Sequence, residues 1–197
     1  MKITKLVVAS HNDGKIAEIK TLLAPLNIEV QSAKELRLAD VEETGKTFEE
    51  NAKLKAIAIS LMCGMPCLAD DSGLCVDALD GRPGVYSARY APNRDFKEGM
   101  KMLLSELKET GSNNRKAHFA CCLALAHPRE DKVKVFEGRV DGTISEKPQG
   151  DNGFGYDPIF IPEGYNKSFA ELSGDIKNSM SHRGRALEKL IKELKNK

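Results

Sequence analysis

The stretch LVVASHNDGK, residues 6–15, decides the fold class of this chain. Its apolar first half, residues 6–10, predicts a strand that ends in a polar turn containing a glycine. Residues 15–23 follow with apolar side chains at helical spacing, so the turn leads into a helix. A strand, a turn and a helix in succession indicate an α/β protein.

Outward from this unit, the chain alternates helical and strand-like segments. A helix is expected to begin at Thr47, because Glu50 three residues later completes a capping box. The predicted elements are helices over 47–64, 95–107 and 183–194, a short strand over 66–69, a long antiparallel hairpin of 117–126 with 132–145, and a strand over 159–161. We therefore predict a mixed β-sheet accompanied by helices.

Composition excludes several classes of protein. The chain has 197 residues, enough for one sizeable core, and we predict a single domain over 1–197. Lysine and arginine number 30 against 29 acidic residues, so no overall positive field draws the chain to nucleic acid or a membrane. No apolar run in the sequence approaches the roughly 20 residues of a membrane span. Five cysteines without framework spacing are typical of reduced thiols in a cytoplasmic protein.

The turn between the first strand and the first helix is a candidate anion site. Backbone N–H groups at a helix start attract anions, and the Lys15 ammonium would add a full charge. Ser10 and Asn12 offer neutral donors. The competing interpretation is an ordinary turn in which Asp13 caps the helix. The glycine and lysine spacing of a Walker loop is absent from this segment.

A pair of carboxylates, Asp70 and Asp71, follows a short apolar segment. Because successive strand side chains point to opposite faces, at most one of them faces a given cleft. A carboxylate at a strand end can hold Mg2+ or accept a proton from water. Glu42 or Glu43 of the acidic loop would supply a second oxygen ligand. The alternatives are a polar turn for the pair and solvated charge for the loop.

Basic side chains of the helix that begins at residue 47 are further candidates for phosphate binding. Asn51 and Lys55 lie one turn apart, whereas Lys53 lies on another face. Spacing alone singles out neither lysine, since lysines are common on surfaces.

Two polar segments in the second half of the chain hold donors and an aromatic ring. In GDNGFGYDP, residues 150–158, glycines let backbone approach a ligand and Phe154 offers a ring that can stack on a base. A tight turn whose aromatic residues anchor the core is the alternative. Ser181, His182 and Arg183 stand at the start of the last helix, where a cation opposes the helix dipole. A bound anion or base would explain such a cation.

These polar clusters all stand at strand ends or helix starts. Together they contain carboxylates, lysines, an arginine and an aromatic ring. That inventory suits Mg2+-dependent chemistry on a nucleoside triphosphate.

Six motifs occur in order along the chain. They are SHNDGK at 10–15, ETGKTFEENA at 43–52, ADDSGL at 69–74, GRPGVYSAR at 81–89, GFGYDP at 153–158 and SHR at 181–183. In this order they resemble the Ham1-like family of inosine and xanthosine triphosphate pyrophosphatases. The first two are similar to the family's S/T-x-N-x-x-K and E-T-G-x-T-F-x-E-N-A segments, and the resemblance covers nearly the whole chain.

The resemblance implies an elongated mixed α/β sheet with two lobes around a central cleft, usually in a homodimer. It implies an enzyme that uses Mg2+ to hydrolyse ITP, dITP or XTP to the monophosphate and pyrophosphate, which cleanses the nucleotide pool. Asp71 would be catalytic, and Glu43 would bind the metal together with Asp71, with Glu42 as the adjacent alternative. The substrate-binding residues that the resemblance implies are Ser10, His11, Asn12, Asp13, Gly14, Lys15, Lys53, Ser72, Phe154, Gly155, Tyr156, Asp157, Lys177, His182 and Arg183.

The resemblance also implies roles for these residues. Water would attack the α-phosphorus while Asp71 accepts its proton, and Lys15, Lys53 and Lys177 would hold the triphosphate. Hypoxanthine and xanthine carry an acceptor oxygen at position 6, whereas adenine carries an amino donor. The side chains at 182 and 183 are donors, so they would favour the oxo bases, and the ring at 154 would stack on the base.

Two other functions are weighed against this one. A Maf-like pyrophosphatase that acts on pyrimidine or modified triphosphates would share the fold and the carboxylates, but the GFGYDP and SHR motifs favour the Ham1-like interpretation. A catalytically silent nucleotide-binding module is disfavoured by the intact Asp70–Asp71 pair. A binder gains nothing from a carboxylate that activates water.

Overall fold

The computed structural model describes residues 3–195. Over these residues the strands are β1 (Lys5–Ala9), β2 (Glu29–Ser32), β3 (Cys67–Val76), β4 (Lys116–Ala126), β5 (Lys134–Ile144) and β6 (Phe160–Pro162). The α-helices are α1 (Asp13–Leu23), α2 (Phe48–Cys63), α3 (Phe96–Glu109), α4 (Gly174–Met180) and α5 (His182–Lys195). The described strands form one sheet in the order β2-β1-β3-β4-β5-β6. β1 pairs in parallel with β2 and β3, and β5 pairs antiparallel with β6, so the predicted mixed α/β sheet is confirmed.

Local sequence signals explain where the helices begin and end. The Thr47 side chain accepts a hydrogen bond from the Glu50 N–H, and the Glu50 carboxylate reaches back, so the predicted capping box of α2 is confirmed. Gly64 ends α2 in the left-handed conformation, with φ of 67°. Asp95 caps α3 by accepting from two N–H groups of its first turn.

Three elements differ from the sequence-based expectation. Strand β2 was not predicted, and it forms by parallel pairing with β1. Strand β3 does not end at residue 69 but continues through both aspartates to Val76. A separate short helix, α4, was not predicted, and Ser173 caps it by accepting from the Ile176 N–H. Strand β3 and helix α4 differ because their buried polar residues have partners in other parts of the chain, which local sequence patterns do not reveal.

The chain divides into two compact units. Among the described residues, unit 1 comprises 3–71, 121–138 and 183–195, and unit 2 comprises 72–120 and 139–182. Whether the chain is one domain with a central cleft stays a prediction.

In unit 1, apolar side chains cover both faces of the sheet. Leu6 and Leu68 pack on one face with residues of α1 and α5. Val7 and Ala69 pack on the other face with residues of α2. Strands that are buried on both faces consist of nearly continuous apolar residues, which explains the runs at 6–9 and 121–126.

The core of unit 2 contains a cluster of aromatic rings. Phe119 and Phe160 lie 4.7 Å apart between ring centroids, and Phe160 lies 5.1 Å from Phe169. Tyr156 of the glycine-rich loop belongs to the same core, together with apolar residues of α3. This packing fixes the loop that carries the predicted stacking ring.

Two further findings bear on the expectations from composition. No helix among residues 3–195 combines the length and apolar character needed to cross a membrane. No disulfide joins the five cysteines, all of which lie within the described part of the chain.

Candidate active site

Strand β3 presents its two adjacent carboxylates to opposite faces. Side chains alternate along a strand, so Asp70 shares a face with Leu68 and Asp71 shares a face with Ala69. Leu68 packs with α1 and α5, whereas Ala69 packs with α2. The two aspartates therefore meet different side chains, although they are neighbours in the sequence.

Asp70 is surrounded by hydrogen-bond donors. Lys15 Nζ lies 2.5 Å from its Oδ1, while Arg183 Nε and Cys121 Sγ donate to its Oδ2 at 2.8 and 3.2 Å. Arg183 also donates through Nη1 to Glu18 on α1. We call Asp70, Lys15, Glu18, Cys121 and Arg183 the Asp70 cluster.

The charges of the Asp70 cluster are matched within the protein. Burial alone would raise the pKa of Asp70, but Arg183 and Lys15 outweigh burial and hold this pKa well below its usual value. Asp70 and Glu18 likewise raise the pKa of Arg183 in spite of its burial. Asp70 is therefore a permanent anion near neutral pH, and it is poorly suited to accept a proton.

Asp71 has fewer and weaker partners. Its Oδ1 lies 3.7 Å from Lys55 Nζ, which donates to Glu43 Oε1 at 2.5 Å and to the Asp70 backbone carbonyl at 2.8 Å. Asp71 Oδ2 is buried and has no partner in hydrogen-bonding geometry among residues 3–195. We call Asp71, Glu43, Lys55 and Asn51, whose amide lies near the Asp71 carboxylate, the Asp71 cluster.

Burial raises the pKa of Asp71. Lys55, Lys15 and the Asn51 amide lower this pKa and Glu43 raises it, and the sum leaves it above the usual value. A carboxylate whose pKa is raised by burial is a stronger base than an exposed aspartate. It can accept a proton from water or offer its bare oxygen to a hard cation.

The acidic loop supplies one carboxylate to this cluster. Glu43 is half-buried and contacts Lys55, whereas Glu42 is exposed. Of the two sequence-predicted alternatives, Glu43 is thus the one that lies in the Asp71 cluster.

The two lysines of α2 have different surroundings. Lys53 pairs with Glu49 one turn away, and its side chain is 41% exposed. The Lys55 side chain is 9% exposed and lies on the buried face of α2 with Ala52 and Ala56. The structure therefore brings Lys55 to the carboxylates and leaves the predicted Lys53 outside the cluster.

The 10–15 turn is held largely by its own side chains. Ser10 Oγ accepts from the Asn12 N–H at 3.1 Å, and Asn12 Oδ1 accepts from the Lys15 N–H at 3.0 Å. Asn12 is therefore the cap of α1, and the alternative in which Asp13 caps the helix is wrong. Gly14 lies in the first turn of α1, where backbone N–H groups are the natural donors to an anion.

Two other predicted residues of this turn contact the loop that follows β2. Asp13 forms an ion pair with Lys34 at 2.7 Å. His11 Nε2 donates to the Leu38 carbonyl at 3.0 Å. These contacts hold the 10–15 turn against the loop that follows β2, and Lys15 connects the turn to the Asp70 cluster.

The glycine-rich loop of unit 2 contains a second buried ion pair. Lys177 Nζ on α4 lies 2.6 Å from Asp157 Oδ2, and the two side chains are 5% and 4% exposed. The same oxygen accepts the Phe154 N–H at 2.8 Å. Lys177 Nζ also lies 4.8 Å from the centre of the Phe154 ring, a cation–π distance. We call Phe154, Asp157 and Lys177 the Phe154 cluster.

A glycine is required where this loop passes over Asp157. Gly153 has φ of +73°, and a Cβ there would lie 2.1 Å from Asp157 Oδ2. Any larger residue at 153 would displace the carboxylate that orients both Phe154 and Lys177.

Tyr156 and His182 are core residues of unit 2. The Tyr156 hydroxyl donates to the Ser87 carbonyl at 3.0 Å, and its ring meets Phe96 edge-on at 5.6 Å. His182 stacks on Phe119 with ring centroids 4.7 Å and planes 11° apart. Tyr156 therefore anchors the loop, as the alternative interpretation of this segment expected, whereas Phe154 stays half-buried.

The structure gives a new reason for a cation at the start of α5. Arg183 is 2% exposed and engages Asp70 and Glu18, so two carboxylates offset its unfavourable position and no bound anion is needed. Of the other predicted residues, Ser72 is half-buried in β3 beside Asp71, and Gly155 lies against the Phe96 ring.

Comparison with known proteins identifies the family of this chain. A family model described as the Ham1 family matches residues 6–193. The chain belongs to the Ham1 family. The dITP/XTP pyrophosphatase of Bacillus subtilis (strain 168) is 48% identical over 190 residues, which cover 95% of this chain and 96% of that protein. The dITP/XTP pyrophosphatase of Bacillus anthracis is 49% identical over 193 residues and 96% of each chain.

Solved structures of Ham1 proteins have the same fold. A HAM1 protein from Coxiella burnetii superposes with a TM-score of 0.90 at 41% identity, covering 99% of this chain and 100% of that one. The Staphylococcus aureus Ham1 protein superposes with a TM-score of 0.85 at 41% identity over 98% of each chain.

Sequence reasoning about this Ham1-family chain assigned no site role to four residues of its buried clusters, Asn51, Lys55, Glu18 and Cys121. Lys55 had a detectable signal, because a lysine between Ala52 and Ala56 on the apolar face of a helix needs a buried partner. Glu18 and Cys121 had none, since the partners of both residues are distant in sequence.

Proposed function

We propose that this chain hydrolyses the non-canonical purine triphosphates ITP, dITP and XTP to the nucleoside monophosphate and pyrophosphate, and so cleanses the nucleotide pool. Its Ham1-family membership and its likeness to dITP/XTP pyrophosphatases over nearly their whole length support this function. The observation that carries the chemistry is the Asp71 carboxylate, because burial raises its pKa even though Lys55 lies 3.7 Å away and lowers it.

In the proposed reaction, water attacks the α-phosphorus and Asp71 accepts its proton. Lys15 and Lys55 bind phosphate oxygens, with the first-turn N–H groups of α1 as further donors. Lys55 replaces Lys53 in this role because it lies at the carboxylates. Phosphoryl transfer depends on positioning and electrostatics, so these fixed charges matter more than a nucleophilic side chain.

A Mg2+ ion suits the donors of the Asp71 cluster. Asp71 has a bare buried oxygen and Glu43 is the nearby second carboxylate. No group of three or more His, Cys, Asp or Glu side chains is arranged to hold a metal among residues 3–195. Mg2+ needs no such cage, because it is usually held by one or two carboxylates together with water and substrate phosphates. When bound, it would offset the charge that develops on the phosphate oxygens.

Selection of the base is assigned to residues of unit 2. Phe154 is half-buried and supplies the stacking ring. His182 supplies a donor that suits a 6-oxo group and disfavours the 6-amino group of adenine. Lys177, expected from the resemblance to hold the triphosphate, is reassigned to the same role because its ammonium group lies 4.8 Å from the centre of the Phe154 ring. We assign three further residues to the same base-binding region: Ser72, Gly155 and Asp157. Arg183 is reassigned to the Asp70 cluster, where its guanidinium is engaged.

Assembly and location complete the proposal. We expect a homodimer in the cytoplasm, acting on free nucleotides and not on nucleic acid or membranes. The near balance of 30 basic and 29 acidic residues supports the expectation about nucleic acid and membranes, whereas the homodimer rests on the family resemblance alone.

A substrate panel tests the function. Pyrophosphate release is measured with ITP, dITP and XTP against ATP, GTP and CTP, with Mg2+ and after chelation. Release confined to the oxo purines and abolished by chelation is expected. Preferred cleavage of CTP would favour the Maf-like alternative, and nucleotide binding without release would indicate a silent module.

A further inference from the structure

Asn51, near the start of α2, is a buried polar residue to which the proposed reaction gives no role. Its exposed fraction is 0%, although the oxygen and the nitrogen of its side chain each require a hydrogen-bond partner. It lies one helical turn before Lys55 on the buried face of α2, and this face packs against β3. Packing alone does not explain an asparagine here, because an apolar side chain would fill the same space without the cost of burying an amide.

The oxygen of the Asn51 side chain is held by the acidic loop. Asn51 Oδ1 accepts from the Gly45 N–H at 2.8 Å. A Cβ at position 45 would lie 2.7 Å from the same oxygen, so the loop backbone comes too close to Asn51 for any residue other than glycine. Because a backbone N–H must meet an acceptor, this contact fixes which end of the side chain is the oxygen and which is the nitrogen.

The nitrogen of the Asn51 side chain lies beside Asp71. Asn51 Nδ2 is buried and has no partner in hydrogen-bonding geometry over the described residues 3–195. The Asp71 carboxylate lies near this amide, and its Oδ2 is also buried without such a partner in that part of the chain. A buried donor and a buried acceptor are complementary, and leaving either one unpaired is unfavourable. The amide is therefore the neutral donor available to this carboxylate.

Lys55 makes the corresponding connection one turn further along α2. Its ammonium group donates to Glu43 of the acidic loop and lies 3.7 Å from Asp71 Oδ1. Asn51 and Lys55 thus each join the same loop to the same aspartate. The lysine contributes charge, whereas the amide contributes direction, since the Gly45 contact at its other end fixes where its donor points.

We propose that Asn51 is a positioning residue, which holds the Asp71 carboxylate in the orientation that accepts a proton from water and is itself held by the Gly45 N–H of the acidic loop. Its effect on turnover rests on the proposed function, whereas its contact with the loop does not. A proton acceptor must lie within hydrogen-bonding distance of the water and point at it, so the loss of this donor acts on the chemical step. Outer hydrogen-bond partners of metal-binding side chains typically contribute roughly 10- to 100-fold to activity.

The experiment measures pyrophosphate release from ITP by matched variants of the full chain, well below their melting temperatures. Asn51→Leu removes both polar ends at a similar side-chain volume, so kcat is expected to fall by roughly 10- to 100-fold while KM changes by less than about threefold. Glu50→Ala is the matched control. Glu50 is exposed and accepts from the N–H groups of Lys46 and Thr47, so it holds the same end of the loop. The control is expected to lower the melting temperature by about 2–4 °C and to change kcat by less than about threefold.

Gly45→Ala tests the same contact from the side of the loop. Displacing the Gly45 N–H frees Asn51 to turn, and kcat is expected to fall by about three- to tenfold. The double variant of Gly45→Ala with Asn51→Leu should lose no more kcat than Asn51→Leu alone, because both changes break one contact. If Asn51→Leu does not fold, a kcat of Gly45→Ala equal to that of Glu50→Ala overturns the proposal by itself.

Limited trypsin digestion measures the loop contact without activity. Lys46 is exposed, and cleavage after it, followed by mass spectrometry, is expected to be about three- to tenfold faster in Asn51→Leu than in the wild type. Unchanged cleavage would refute the contact between Asn51 and the loop.

Two kinetic results would overturn the positioning role. The first is a kcat of Asn51→Leu within threefold of the wild-type value, and the second is an equal loss of kcat in Asn51→Leu and Glu50→Ala, which would mean that Asn51 only fastens the loop. Either result with normal pyrophosphate release by the wild type refutes this proposal alone. A wild-type chain that releases no pyrophosphate from ITP refutes the proposed function and the effect on turnover with it, while the digestion still decides the loop contact.

Discussion

Asp70 and Asp71 are consecutive residues with opposite surroundings. In the Asp70 cluster, Arg183 and Lys15 hold the pKa of Asp70 well below its usual value, and the Cys121 thiol also donates to this carboxylate. Asp71 has one buried oxygen without a hydrogen-bond partner among residues 3–195 and a lysine at 3.7 Å, and burial raises its pKa. Strand alternation thus places one aspartate in a structural network and keeps the other available for chemistry.

The difference teaches that residue type alone does not assign a catalytic role. Both side chains are buried carboxylates on the same strand. A carboxylate whose charge is fully matched inside the protein has no reason to bind a proton or a cation. The following substitutions test this comparison, beginning with the largest expected effect.

Replacing Asp71 with asparagine is expected to lower kcat for ITP by roughly 10²–10⁴-fold, because it removes the proposed proton acceptor. The melting temperature is expected to stay near that of the wild type, since the side chain keeps its size. Pyrophosphate release and a thermal melt measure the two effects. Asp70→Asn is the matched variant and should lose mainly stability. Turnover of the Asp71 variant near the wild-type value would remove Asp71 from the mechanism.

Arg183→Ala is expected to cost about 3–5 kcal/mol of unfolding free energy, because it leaves the buried carboxylates of Asp70 and Glu18 without their shared cation. Arg185→Ala, at an exposed position of the same helix, should change stability by less than about 0.5 kcal/mol. Denaturant unfolding measures both. Should Arg183→Ala fail to fold, Arg183→Lys keeps the charge and should retain part of the stability.

Equal stability of the two alanine variants would contradict the structural role of Arg183. If Arg183→Ala instead kept its stability and showed a reduced ITP-to-ATP ratio of kcat/KM, Arg183 would regain the role in base selection that its place beside His182 suggests.

The two lysines of α2 provide the next test. Lys55→Gln is expected to lower kcat/KM for ITP by roughly 10- to 100-fold, since it removes a cation from the Asp71 cluster. Lys53→Gln, two residues away on the exposed face, should change kcat/KM by less than about threefold. Both are measured by pyrophosphate release. The reverse order of effects would return Lys53 to the site.

Phe154→Ala should have the smallest effect. Loss of a stacked ring is expected to lower kcat/KM by roughly two- to tenfold for ITP and ATP alike, because a ring meets every purine face in the same way. Measuring both substrates gives the ratio, which should not change. A selective gain of ATP activity would mean that Phe154 discriminates the 6-position.

Much of the fold could be predicted because its signals are local. The capping box at Thr47, the glycine at 64 and the periodic face of α3 each lie within a few residues of the element they define. The hairpin segments 117–126 and 132–145 agree with β4 and β5 within two residues. Helix α4 was not predicted because its segment is polar in sequence and is typical of a loop. Its Lys177 is buried only through the ion pair with Asp157, which the local sequence does not reveal.

The sequence by itself determined the order of the elements, the family motifs and the rule that the two aspartates must face different ways. These follow from backbone periodicity and capping, which depend on neighbours a few residues apart. Only the tertiary structure decided which aspartate has its charge matched, which lysine of α2 reaches the carboxylates, and what holds Arg183. The reason is that Glu18, Asp70 and Arg183 are far apart in the chain, and burial turns their contacts into the dominant electrostatic terms.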